Sequence, residues 1–186
     1  MKKHRLLLLG LGVVALAALA ATGCFITSAQ VFAHFDLPNP FTIQSTESPF
    51  ERVAVDLNTV TEYTDNKDKL KGLADVAIIG KFTNVLGPAG GVEVWITAGE
   101  TNYDTVEGIT TNATKLWGPG SIGATGAVND ITWDESAKLF KAAGKTILIN
   151  EVKGDGQFTV YIIGTAGEYH IRVDKGGIIL VLDAGV

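Results

Sequence analysis

Residues 6–21 form an unbroken run in which every side chain is apolar or absent (glycine). Such a run must leave water, and that constrains the chain more than any other feature. It is short for a membrane-spanning helix, which needs about 20 apolar residues, and it contains Gly10 and Gly12. Lys2, Lys3 and Arg5 precede it with no acidic residue nearby, and Ala20, Ala21, Thr22 and Gly23 close it. A basic start, an apolar middle and a small-residue end are the features of a secretory signal. Residues 1–23 are therefore read as a leader, and the fold as the property of the remaining chain.

The next residue is Cys24, the only cysteine in the chain, so an intrachain disulfide is excluded. A lone thiol in an exported protein needs a reason. The run Ala20-Ala21-Thr22-Gly23-Cys24 resembles the bacterial lipobox, in which small residues precede a cysteine that becomes lipidated. That family most often places Leu three residues before the cysteine, where this chain has Ala21. The resemblance implies a diacylglyceryl thioether on Cys24, usually with a third acyl chain on the new N-terminus. Two or more chains anchor stably, whereas one binds a membrane marginally. Phe25 follows the cysteine where an Asp would imply inner-membrane retention in enteric-type bacteria. The resemblance thus implies the outer membrane, if the organism has one. It covers the leader alone and implies nothing about activity.

Three of the 15 basic residues and none of the 20 acidic ones lie in residues 1–23, so the remainder carries 12 against 20, a formal charge of −8. That balance repels nucleic-acid phosphates, and no nucleic-acid partner is expected. Residues 24–30 read as a short tether and residues 31–186 as a single domain. A domain of that size buries roughly 70% of its unfolded surface, enough for a core without staples.

Short alternating runs dominate the domain. In residues 52–57, Val53, Val55 and Leu57 alternate with Arg52, Ala54 and Asp56, the mark of a half-buried strand. Residues 31–37, 41–44, 76–86 and 92–97 also read as strands. Residues 87–91 look like a hairpin connection between the last two. Runs at 158–163, 169–173 and 178–182, with short glycine-bearing connections, suggest a closing antiparallel meander. Asp65 is a plausible N-cap for a short charged helical turn. Thr132 with Glu135 forms a capping-box pattern before a helix at 136–143. Residues 144–152 suit either a strand, by their β-branched residues, or a continued helix, by the Phe140, Ala143, Ile147 spacing, with helix favoured. Residues 99–129 read as the least regular stretch, a long connection within which Val106, Ile109, Leu116 and Trp117 can supply one strand or one turn. Together these predict a mainly β fold, an antiparallel β-sandwich with one or two short helices. That architecture fixes no function by itself.

The chemistry-bearing residues are sparse. Beyond the leader the histidines are His34 and His170, and neither has a second His or Cys at metal-ligand spacing, so no metal site is expected. Alternation places His34 beside Asp36, and His170 between Glu168 and Arg172 in what reads as a salt-bridged row. No Gly-x-Ser-x-Gly elbow, phosphate-binding loop or dinucleotide fingerprint occurs, so neither a catalytic residue nor a cofactor is expected. The strongest binding lead is aromatic. Tyr103 and Trp117 in the 99–129 connection, with Trp133 just beyond it, offer a ligand-competent surface, because loops on a rigid scaffold commonly carry recognition; the equal alternative is that Trp117 plugs the end of the sandwich.

These features point to an envelope lipoprotein whose β-sandwich binds or scaffolds an envelope component without catalysis. A carrier for an apolar ligand held between parted sheets is the alternative, and a hydrolase using the 99–129 connection is a third. Cys24→Ser should leave export intact and abolish acylation, because a hydroxyl does not replace the acceptor thiol. Radiolabelled palmitate incorporation checks this, and label retained by the serine variant would overturn the anchor.

Overall fold

The structure, a computed structural model, describes residues 28–38, 40–165 and 167–185. The expected leader, Cys24 and the first part of the expected tether lie outside the described residues. Nine strands make two antiparallel sheets, confirming a mainly β sandwich. The strands are β1 (Ser28–Asp36), β2 (Phe41–Gln44), β3 (Phe50–Asp56), β4 (Leu70–Leu86), β5 (Gly90–Ala98), β6 (Thr114–Ile122), β7 (Val128–Ile131), β8 (Gln157–Gly164) and β9 (His170–Gly185). The helices are α1 (Thr61–Thr64), α2 (Val106–Asn112), α3 (Trp133–Ala137) and α4 (Ala142–Lys153). Sheet 1 runs β1-β9-β4-β7, with β2 also paired to β9, and sheet 2 runs β3-β8-β5-β6.

The alternation in β3 is realised as read. Val53 and Val55 are buried while Arg52 is exposed. Facing side chains from the two sheets, among them Ile78, Phe82, Leu180, Val94, Ile96 and Val160, fill the interval between them. Each such fully buried aliphatic or aromatic side chain contributes roughly 1.5–3 kcal/mol relative to exposure.

Several local readings need correction. Residues 87–91 do not make a hairpin, because β4 lies in sheet 1 and β5 in sheet 2. Turn chemistry marks a reversal without fixing its plane, and a short glycine-rich link spans the roughly 10 Å between packed sheets as well as the gap between neighbours. The closing meander is absent for the same reason: β8 belongs to sheet 2, and β9 is one sixteen-residue strand of sheet 1. Gly176 and Gly177 lie within β9 and pair with Gly80 and Ile79 instead of turning. Ser28 pairs with Gly185, so the domain begins inside the segment read as tether.

Residues 99–129 are more regular than expected, since they hold both α2, at Val106 and Ile109, and β6, at Leu116 and Trp117. β6 was obscured by Gly118-Pro119-Gly120, but it is an edge strand, where proline is tolerated. α2 is rich in β-branched residues and gains its stability from tertiary contact through buried Ile109. Asp65 caps the C-terminus of α1, its N–H donating to the Thr61 carbonyl at 3.0 Å, and so starts no helix.

The expected helix at 136–143 is broken in two. Glu135 accepts from the Thr132 N–H at 3.0 Å and its hydroxyl at 2.9 Å, so the capping box is present at the start of α3. These bonds hold the Glu135 carboxyl below its ordinary value. The chain then leaves the helix because its backbone pairs with β6. Gly118 N–H donates to the Leu139 carbonyl at 3.1 Å, and Lys141 N–H to the Leu116 carbonyl at 2.9 Å. Beyond this break residues 144–152 are helical, within α4. The buried stripe of α4 is Gly144, Leu148 and Val152, at i, i+4 and i+8. Ala143 is exposed and Ile147 only half-buried.

Gly144 sets how closely α4 approaches β6. A Cβ there would lie 2.4 Å from the Leu116 Cα and 2.6 Å from the Lys115 carbonyl oxygen. Alanine is the better helix former by about 1 kcal/mol, yet Gly144→Ala should destabilise the protein by about 1–3 kcal/mol, the range for overpacking. Urea unfolding checks the sign, and a stabilised variant would show that α4 is free to move away.

Candidate ligand-binding groove

The outward face of sheet 1 carries the alternate residues of strands whose other face fills the core. β1 presents His34 and Asp36 there, β4 presents Ile79 and Lys81, and β9 presents Gly177 and Ile179. The register sets Asp36 opposite Gly177 and Gly177 opposite Ile79. The adjoining row sets Lys175 opposite Lys81, and Lys81 opposite Asp130 of β7. A groove of about 460 Å³ crosses this face and is lined by these residues with Gly80, Ile131 and Gly176, but not Ile179. Small-molecule sites commonly span about 300–1,000 Å³.

Glycine in a strand interior is weakly destabilising and marks the close approach of backbone or ligand. At Gly177 a Cβ would meet His34 Nε2 at 2.6 Å, so the missing side chain lets the imidazole lie across β9. That ring stands 3.3 Å from Asp36 Oδ1. At Gly80 a Cβ would stand 2.9 Å from the Lys175 carbonyl oxygen, which keeps β4 and β9 close beneath the groove.

A β-bulge completes the wall. Lys81 pairs with Lys175 but Phe82 pairs with Val173, which leaves Asp174 as the extra residue. Its carboxylate accepts from Arg172 Nε at 2.6 Å and from Thr83 Oγ1 at 2.8 Å. The Arg172 bond first, then the Thr83 bond, holds the carboxyl below its ordinary value. The lining residues include no hydroxyl or thiol, so the groove offers charged groups and apolar surface. Among the described residues no group of three or more His, Cys, Asp or Glu is arranged to hold a metal ion. No helix among them is long and apolar enough to cross a membrane.

The three aromatic residues expected to share a binding surface are not brought together. Tyr103 packs on the outer face of sheet 2, its ring 5.9 Å from that of Tyr161, in a second small core with Ile109 and Ile163. Trp117 points the other way, into the main core, with 0% exposure. Its Nε1 donates to the Ser136 hydroxyl at 3.0 Å and the Ser136 carbonyl at 3.1 Å. Trp133 is half-buried beside β4, where its Nε1 donates to Asp75 Oδ2 at 3.1 Å. The salt-bridged row at His170 is also absent, since Arg172 is engaged by Asp174.

Sequence reasoning placed His34 with Asp36 but missed Lys81, Asp130 and Lys175. They come from three strands scattered over the chain, and only register unites them. The one available signal was the Gly176-Gly177 pair inside a run that otherwise reads as strand. No protein-family model and no curated protein matches the chain.

If Trp117 is core, Trp117→Ala should cost about 3–5 kcal/mol. Ser136→Ala should cost about 1–3 kcal/mol by orphaning its buried donors. Trp133→Ala should cost less than half the Trp117 loss. Denaturant unfolding of the three variants checks the order. A Trp117→Ala protein as stable as wild type would return that ring to the surface.

Proposed function

We propose that the chain is a lipoprotein of the bacterial cell envelope, held to a membrane through acylated Cys24, in the outer membrane where the organism has one. Its β-sandwich binds or scaffolds another envelope component without catalysing a reaction, and the groove on sheet 1 is where it binds. The observation that carries the anchor is the leader ending at Cys24, four positions before β1 starts at Ser28. Four residues reach at most about 14 Å, so the anchor would hold the Ser28 end of sheet 1 against the lipid. The groove lies toward the other end of β1, at His34 and Asp36, roughly 20–26 Å farther along the strand at about 3.3 Å per residue. That separation supports access by a ligand or partner from the aqueous side.

Carriage of an apolar ligand between the sheets has less support, because side chains such as Trp117, Ile78, Ile96 and Leu148 occupy that interval. Mass spectrometry of the protein purified from bacterial membranes tests the proposal. The expected N-terminal peptide begins at Cys24 and carries the mass of a diacylglyceryl group. A protein retaining residues 1–23, or beginning elsewhere without acyl mass, would overturn it.

A further inference from the structure

We propose that the sheet 1 groove holds an anionic group, a carboxylate or phosphate, between the ammonium groups of Lys81 and Lys175, with an apolar part of the same ligand lying over Ile79 beside the His34 ring. This rests on reading the groove as a binding site.

Lys81 and Lys175 are direct partners across antiparallel strands. Like charges at directly opposed positions are destabilising, so the pair works against the fold unless something answers it. The protein does not answer it fully. Among the described residues neither ammonium has a carboxylate within 4.0 Å, although Asp130 is the register partner of Lys81. Asp174 lowers the local potential at Lys81, but both its oxygens are already taken by Arg172 and Thr83.

The lysine pair closes an unbroken register that runs from Val76–Leu180 to Lys81–Lys175, and the bulge at Asp174 lies directly beyond it. Bulges of this kind re-aim side chains beside functional sites. Opposed side chains have Cβ atoms about 4.5–5.5 Å apart, so two flexible lysines rooted there can converge on one anion. Next to them the floor is Ile79 and glycine backbone, with the His34 imidazole lying across Gly177. The Cβ of any other residue at 177 would run into the His34 ring tip, and the other atom near it, the Phe35 carbonyl oxygen, lies at an ordinary 3.4 Å. The glycine therefore makes room for the imidazole, which itself lines the groove, and not for a core side chain. A short apolar chain on Ile79, against the His34 ring, with its anionic end on the lysines matches this division.

Calorimetric titration of the full chain with hexanoate, hexyl phosphate, inorganic phosphate, hexanol and hexyltrimethylammonium tests the proposal. Hexanoate and hexyl phosphate should bind at least tenfold more tightly than hexanol or hexyltrimethylammonium, and hexyl phosphate more tightly than inorganic phosphate. Lys81→Gln and Lys175→Gln should each weaken the anionic amphiphiles at least fivefold. In the absence of ligand they should raise the melting temperature slightly, as repulsion is relieved, which shows that the variants fold. Gly177→Ala should weaken every chain-bearing probe. If hexanol and hexyltrimethylammonium bind as tightly as the anions, and Gly177→Ala still weakens them, the anion assignment is overturned while the groove stands as a binding site. If wild type binds no probe, both fall.

Discussion

The sandwich depends on one buried hydroxyl. β4 runs for seventeen residues, but β7 pairs only with Gly80–Thr83, so the same edge of β4 is left without a strand partner before Gly80. A sheet edge buried without partners costs about 1–3 kcal/mol for each orphaned group. Ser136 Oγ accepts the Ile78 N–H at 2.7 Å and the Trp117 indole N–H at 3.0 Å. It thereby joins α3 to sheet 1 through the backbone and to sheet 2 through the largest core side chain. Serine suits this position because it is small and presents an acceptor at the site where α3 meets the edge.

The rest of the closure builds on that joint. With α3 fixed, the backbone at Leu139 and Lys141 pairs with the outer edge of β6. α4 can then lie along that edge, with Gly144 against Leu116 and with Leu148 and Val152 in the core. Its far end is held by Tyr63, whose hydroxyl donates to the Val152 carbonyl at 2.9 Å. Helices α3 and α4 thus close the sandwich between β4 of sheet 1 and β6 of sheet 2. Sheet 2 is covered on its outer face as well, by Tyr103 and α2 over Tyr161 and Ile163. Of the two outer sheet faces, that of sheet 1 bears the groove and Phe32, which is 60% exposed.

That asymmetry bears on function. A face carrying charges of both signs over glycine and isoleucine is suited to a ligand with a polar end and an apolar body. Its placement away from Ser28 is consistent with a domain tethered at one end and reading its surroundings with the other. The fold supplies rigidity beneath the groove, since Gly80 and Gly176 on the floor belong to β4 and β9, the two longest strands.

The sequence by itself determined what depends on neighbours along the chain. Alternation at Val53 and Val55, the Thr132–Glu135 capping box and the contiguity of His34 with Asp36 are local, and each is present in the fold. The apolar run at residues 6–21 and the small residues before Cys24, on which the proposed anchor rests, are likewise local features. Tertiary structure alone decided whether the glycines at 87–91 turn within a sheet or between sheets, and whether Gly176-Gly177 turns at all. It also decided that Trp117 enters the core and that the helix after Ser136 breaks to pair with β6. It joined Lys81, Asp130 and Lys175 into one row. Each outcome rests on hydrogen bonds and contacts between residues tens of positions apart, chosen because buried backbone groups must find partners wherever the chain brings them. Local pattern carries no record of those partners.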